Sequence, residues 1–299
     1  MDANARRTPY RLVALDIDGT VLDSAQQVSA ELKAALARLA SMSVRTVLCT
    51  GRRWQSAAPV LRELEHAHPV VVCTGGALIK SADDERTLHA VPMGHDAARL
   101  AVKAFRAHGL VPLLLYDRPL GAREMKIALS DQARAEGLPY LQANPGSWEW
   151  YEGGYPPGCE APLAVYTVDG QAAISSAEPY VRAAVGGRGI VEVMRQWRYG
   201  PDQVAIEVHD TSATKWRALE WLLEQWGVRP DEVVAMGDDV NDVPMLRAAG
   251  LSFAMGNASD AVKAAADQVT ASNDEHGVAV ALGRVFRFHE APGAAEVRR

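Results

Sequence analysis

At 299 residues, 48% of them apolar, the chain is long enough for one large domain or two moderate ones and can bury a sizeable core. Charged residues make up 23% and the net charge is −6, which leaves no basic footprint for DNA or RNA and excludes a dedicated nucleic-acid binder. No apolar stretch follows Arg6 and Arg7 to serve as a signal peptide, and no later run approaches transmembrane length, so a soluble cytoplasmic protein with no membrane partner is expected.

Residues 11–16 read as a buried strand that ends in Leu15, Asp16, Ile17, Asp18, Gly19, Thr20. Two ionised carboxylates at a strand end cost on the order of several kcal/mol each to desolvate unless a cation or hydrogen bonds compensate them. Alone, the run fits either chemistry or an acidic turn. Residues 29–40 follow as an amphipathic helix, with Ser29 as N-cap and Leu32, Leu36 and Leu39 on one face. Val44–Cys49 reads as a strand, Trp54 to about His66 as a helix, and Val70–Cys73 as a strand. Strands alternating with helices imply right-handed crossovers and a parallel sheet.

From residue 84 to 203 the chain changes character, with many glycines and prolines and the aromatic run Trp148, Glu149, Trp150, Tyr151, Glu152, Gly153, Gly154, Tyr155. The alternation then returns: Val204–Val208 as strand, Thr214–Trp226 as helix, Val233–Met236 as strand, Asp242–Ala249 as helix, and shorter segments to about Arg287. The last ten residues have no apolar periodicity and are expected to fray. The expected organisation is an α/β core from residues 1–83 and 207–299, with residues 84–206 inserted as a second α/β domain. Cys49, Cys73 and Cys159 form no CxxC pair, which suits a reducing compartment. In that setting Asn257, Ala258, Ser259 matches a glycosylation acceptor by chance.

Four segments stand at strand-to-helix junctions: Asp16–Thr20, Thr50–Arg53, Thr214–Lys215 and Gly237–Asp242. The carboxyl ends of parallel strands line one crevice, so these segments can meet there. Such a site holds several carboxylates, one ammonium, hydroxyls and glycine-flanked amides. Hard oxygen ligands suit Mg²⁺, while Thr50, Gly51 and Lys215 suit a phosphate. The combination calls for phosphoryl transfer, with a carboxylate as nucleophile and a neighbouring one as acid and base.

The motifs DIDGTVLD, TGR, a lone lysine before a helix, GDDVNDVPML, AMGNASDAVKAAAD and SNDEHGVA resemble the haloacid dehalogenase superfamily of phosphatases, and within it the Cof-type branch. The resemblance covers about residues 10–80 and 205–285, and the insert matches in position and size alone. It implies a Rossmann-like core with an inserted α+β cap of the C2B type, and a Mg²⁺-dependent phosphatase acting on a small phosphorylated metabolite such as a sugar phosphate, as monomer or homodimer. Carried over, it implies Asp16 as nucleophile and metal ligand, and Asp18 as acid/base and a second ligand through its backbone carbonyl. Lys215 would orient Asp16 and neutralise the phosphate that Thr50, Gly51 and Asn241 also hold. Asp238 would be the third metal ligand, with Asp242 supporting the metal shell. Asn273 and Asp274 match a later segment near the site.

Two departures bear on substrate fit. Similar proteins have Asn, Gly, Ala where this chain has Thr74, Gly75, Gly76, Ala77, and glycine where this chain has Trp216. In the insert, Trp148, Trp150, Tyr151 and Tyr155 fit either a substrate face or hairpin packing. Arg118, Arg123, Lys126, Arg195 and Arg198 fit either a second anion site or plain surface, and the eight histidines show no zinc spacing. A sugar-phosphate mutase shares Asp16 and Asp18 and stays open as an alternative. A catalytically silent binding protein on the same fold is disfavoured because Asp16, Asp18 and Asp238 are all present, and a receiver-type phospho-acceptor because such domains are shorter and lack an insert.

Overall fold

The apolar run ahead of Asp16 forms β1 (Leu12–Leu15), all four residues of which are buried. The computed structural model describes residues 9–64, 70–153, 155, 160–195 and 199–288; Cys159, Arg198, His66 and the side chain of Arg195 lie outside them. Helix α1 (Ala30–Ser41) is capped by the Ser29 hydroxyl, which accepts from the Leu32 amide at 3.2 Å, and it buries Leu32, Leu36 and Leu39 as their spacing predicts. Then come β2 (Arg45–Cys49), α2 (Trp54–Glu63), β3 (Val70–Cys73) and the antiparallel pair β4 (Leu78–Ser81) and β5 (Thr87–Ala90).

The middle of the chain adds α3 (His95–Ala107), β6 (Leu113–Leu115), β7 (Met125–Ala128), the short helices α4 (Gln132–Ala135) and α5 (Pro139–Ala143), β8 (Trp148–Tyr151), β9 (Ala164–Gly170), α6 (Gln171–Val185), β10 (Ile190–Arg195) and β11 (Gln203–His209). The remainder is α7 (Lys215–Trp226), β12 (Val233–Gly237), α8 (Val243–Ala248), β13 (Leu251–Ala254), α9 (Asp260–Lys263), β14 (Gln268–Val269) and α10 (Gly277–Phe286).

These strands form two sheets, an eight-stranded one of order β14-β13-β12-β1-β2-β3-β4-β5 and a six-stranded one of order β10-β11-β9-β6-β7-β8. The first is parallel from β14 to β3 and carries helices on both faces. Along β1, Val13 and Leu15 pack towards α1, α2 and α10, while Leu12 and Ala14 pack towards α7 and α8. The second sheet is mixed, with α3 and α6 packed on one face. The molecule is therefore an α/β core with an inserted α+β cap, the core as the strand and helix alternation predicts and the cap as the resemblance implies.

Strand β5, within the span read as the insert, is the edge strand of the core sheet, because the chain turns back after β4 and pairs locally. Strand β11 contains the Val204–Val208 run, and it lies inside the cap sheet between β9 and β10, antiparallel to both. The aromatic run makes no hairpin: β8 pairs parallel to β7, and Trp148 and Trp150 meet edge to face at 4.9 Å against the cluster that holds Met125 and Ile127. Among the described residues, no helix is long and apolar enough to cross a membrane.

Cap and core are tied by buried charges. Arg53, at the start of α2, is 8% exposed and ion-pairs with Glu124 of the cap, which is 1% exposed; it also donates to Asn144 and, at 3.0 Å, to the Tyr140 hydroxyl. Lys80 on β4 reaches Asp117 of the cap at 2.7 Å. Removing one member of a buried pair strands the other charge, so Glu124→Ala is expected to lower the unfolding free energy by about 3–5 kcal/mol in urea denaturation. An Arg53→Met, Glu124→Leu double variant is expected to recover most of that loss. Equal losses in the single and double variants would show that the pair's charge is not what the packing depends on.

Candidate active site

The carboxyl ends of β1, β2, β3 and β12 and the amino end of α7 converge on one crevice. Asp16 directly follows β1 and is buried, and its Oδ1 accepts from Lys215 Nζ at 2.6 Å. Lys215 opens α7 behind the N-cap Thr214. Its ammonium also donates to Asp242 Oδ1 at 2.6 Å and to Asn241 Oδ1 at 3.2 Å. A helix lysine taken alone reads as solvated; this one is buried because three oxygens take its three protons.

Asp242 Oδ2 accepts from the Asp238 and Asp239 amides at 3.0 and 3.1 Å, which wraps the loop after β12 around that carboxylate. Asp238 accepts from the Thr20 hydroxyl at 3.1 Å. Between the two acidic loops stands Gly19, with φ +77°, where a Cβ would come within 2.3 Å of Asp238 Oδ2. Asn257 bridges the same loops, donating to the Gly19 carbonyl at 2.9 Å and to Asp238 Oδ2 at 3.4 Å. Its place in the formal glycosylation triplet is thus occupied by an internal contact. Asn273 donates to the Leu22 carbonyl at 2.9 Å and Asp274 accepts from the Ser24 amide and hydroxyl, so both pin the loop that follows β1.

Asp16, Asp238 and Asp242 each bring a carboxylate oxygen within 4.8 Å of the others. The Asp18 side chain, 51% exposed, instead turns to Arg52, which grips it through Nε at 2.7 Å and Nη2 at 2.5 Å. Thr50 is buried, and its hydroxyl accepts from the Arg52 amide at 3.0 Å, fixing the turn that contains Gly51. The Asn241 amide nitrogen lies 4.0 Å from the position a Cβ on Gly51 would take, so Thr50, Gly51, Asn241 and Lys215 share the crevice. Asp239 is exposed.

Several groups at the site escape the sequence reading. Nothing in the Thr50–Arg53 segment signals that the Arg52 side chain holds Asp18 and the Arg53 side chain holds the cap. Met194 of β10 comes within 3.2 Å of the same Gly51 position, so the cap closes over the turn that contains Thr50 and Gly51. The signal for a polar contribution from the cap was a glutamate and a histidine in the otherwise apolar run of β11, Glu207 and His209. At the departure from the family pattern, Thr74, Gly75 and Gly76 all have positive φ, and a Cβ on Gly76 would meet the Thr214 carbonyl at 2.2 Å. Of the basic residues in the insert, Arg118 pairs with Glu160 at 2.7 Å, Lys126 with Glu149 at 3.6 Å, and Arg123 is exposed.

Comparison with known proteins agrees with this architecture. A family model described as haloacid dehalogenase-like hydrolase matches residues 13–152 and 164–282. The phosphatase YwpJ of Bacillus subtilis is 27% identical over 305 aligned residues, covering 90% of this chain and 97% of that protein. The 5-amino-6-(5-phospho-D-ribitylamino)uracil phosphatase YitU of the same organism is 26% identical, covering 93% and 98%. The crystal structure of a haloacid dehalogenase-like hydrolase from Bacteroides thetaiotaomicron superposes with a TM-score of 0.72 at 26% identity, covering 93% of this chain and all of that one.

The site is short of positive charge. Burial pushes Asp16 well above the ordinary carboxylate range despite the pull of Lys215, and Asp242, Asp238 and Asp18 push it further. Asp238 is pushed up to about 7, by burial first and then by Asp242. Lys215 is lowered by burial but raised more by Asp16 and Asp242, so it stays charged. One ammonium does not balance three close carboxylates, which is the donor set a divalent cation completes. Without a cation, a carboxyl whose folded pKa is raised holds its proton more tightly than in the unfolded chain. Its stabilising contribution is complete below about pH 4 and is lost as pH rises through about 7. The urea midpoint of metal-free protein is therefore expected to fall between pH 6 and pH 8, and a rise over that window would contradict this charge balance.

Proposed function

The chain belongs to the haloacid dehalogenase-like hydrolases, and on that premise we propose that it is a Mg²⁺-dependent phosphatase that hydrolyses a small phosphorylated metabolite through an aspartyl-phosphate. The observation that carries this reading is the contact of Lys215 with Asp16 at 2.6 Å, which fixes one oxygen of the carboxylate and leaves the other to attack. In this reading Asp16 bonds to phosphorus as the bond to the ester oxygen breaks. Asp18 gives its proton to that oxygen, then takes a proton from the water that releases phosphate from Asp16. Arg52 holds Asp18 at the rim of the crevice.

Thr50, Gly51, Asn241 and Lys215 would hold the phosphate oxygens, by hydroxyl, backbone amide, side-chain amide and ammonium. Asp16, Asp238 and the Asp18 backbone carbonyl would hold Mg²⁺, with Asp242 bracing the loop from behind through its two amide contacts. Bound there, Mg²⁺ supplies the charge that lets a phosphate dianion approach the Asp16 carboxylate. The cap excludes water from the reacting groups. YwpJ and YitU are both named as phosphatases, which supports hydrolysis over transfer to a second site on the substrate. We read the protein as a cytoplasmic enzyme working as a monomer or homodimer, on the sequence grounds given above.

Purified protein is expected to release inorganic phosphate from members of a panel of phosphorylated metabolites when Mg²⁺ is present, and to stop when it is chelated. Asp16→Asn is expected to lower kcat by roughly a thousandfold or more while the protein stays folded by circular dichroism. Phosphate release unimpaired by Asp16→Asn would remove the aspartyl-phosphate from the scheme.

A further inference from the structure

The strand pair β10 and β11 carries a second group of polar side chains, which the register of the pair places together. Glu192 stands opposite Glu207, and His209, two residues further along, shares their face. The alternate residues Val191, Ile206 and Val208 face the apolar core of the cap. His209 is fully buried and Glu207 is 6% exposed. Yet His209 Nε2, Glu207 Oε1 and Glu192 Oε2 have no hydrogen-bond partner among the described residues. Burying a polar atom without a hydrogen bond is costly, and with only a 3.7 Å ion pair between His209 and Glu192 to offset it, three such atoms in one place point to a partner that arrives from outside.

The group faces the crevice. A Cβ on Gly75 would stand 3.5 Å from His209 Nε2 and 3.7 Å from Glu192 Oε2, and Met194, two residues beyond Glu192, lies over Gly51. The Thr74 hydroxyl, buried in the same turn as Gly75, is also without a hydrogen-bond partner among the described residues. Burial raises the Glu192 carboxyl, but His209, Lys215 and Asn241 outweigh it and hold it below its ordinary range, so it is ionised. For His209 burial lowers the pKa, while Glu192 and Glu207 raise it more.

These atoms are not arranged for a metal ion. Among the described residues, the group that brings three ligating atoms within 4.8 Å of one another is Asp16, Asp238 and Asp242. His209 Nε2 and Glu192 Oε2 face each other as an ion pair at 3.7 Å. Separate acceptors spread over one wall suit several hydroxyls on a single organic group.

We propose that Glu192, Glu207 and His209 form the leaving-group subsite of the phosphatase described above, selecting monophosphate esters of uncharged, polyhydroxylated groups and rejecting esters that carry a second anion. The inference rests on that phosphatase reading. Hydroxyls of the leaving group donate to the Glu192 carboxylate and exchange hydrogen bonds with Glu207, which burial pushes up to about 7, and His209 Nε2 completes the set. A carboxylate or second phosphate in the same place would meet the ionised Glu192, with Glu207 adding to the repulsion above about pH 7. The cap's Arg118 and Lys126 are already engaged by Glu160 and Glu149 and do not offset that repulsion.

The test compares kcat/KM for glucitol 6-phosphate and its carboxylate counterpart gluconate 6-phosphate, with p-nitrophenyl phosphate as an ester that has no hydroxyls. Wild-type protein is expected to prefer the polyol ester by about tenfold or more, and Glu192→Gln and Glu207→Gln to bring the two within about twofold. Calorimetric binding of both esters to Asp16→Asn protein reads the same preference without turnover. No preference in either assay, or a preference left intact in both variants, overturns the subsite. Absence of phosphate release from all three esters overturns the phosphatase reading instead, and the binding comparison still decides the subsite.

Discussion

The ammonium of Lys215, buried between Asp16 and Asp242, is the constraint on which the rest of the core depends. A buried charge is tolerated when its partners are close and its protons are all taken, and breaking such a set costs about 3–5 kcal/mol. The start of α7 must therefore lie against the end of β1. That demand explains the glycines nearby. Gly76 lets the turn after β3 touch the Thr214 carbonyl, and at Gly237 a Cβ would come within 2.4 Å of the Asp242 carboxyl carbon. The positive-φ turns and the missing side chains follow from where one lysine has to be.

The core half of the site was legible because its residues sit where strands end, and the ends of parallel strands converge. Asp16, Thr50, Lys215 and Asp238 could be placed together from alternation alone. The direction of a side chain could not. Asp18 looks equivalent to Asp16 in DIDGT, yet two residues along the chain it has left the buried cluster for Arg52 at the surface. Arg53 looks like one of two adjacent surface arginines, and nothing local signals that its partner is Glu124, 71 residues away. The cap was harder still. Its strands pair antiparallel in a mixed sheet, so Glu192 and Glu207 become neighbours through register, which composition does not carry.

Cap and core meet along two seams of different chemistry. On one, Arg53 and Lys80 form ion pairs with Glu124 and Asp117, which resists opening. On the other, Glu192 and Met194 lean over Gly51 and Gly75 with polar atoms unpaired. The first seam gives position and the second leaves room for something to enter. A cap pinned to the core by ion pairs along one edge presents free polar atoms to the crevice along the other.

The sheet order also bears on how the molecule is made. Strand β1 pairs with β2 on one side and with β12 on the other, and β12 is more than 200 residues downstream. The cap sheet, by contrast, is assembled wholly from a continuous stretch between those two strands. During synthesis the cap can complete its own pairing while β1 still has an open edge. Asp16 and Asp18 are among the first residues of the core to leave the ribosome, and Lys215, Asp238 and Asp242 are among the last. The nascent chain thus carries Asp16 without its counter-charge until α7 brings Lys215 to it, and the full site is assembled only once the loop after β12 has docked as well.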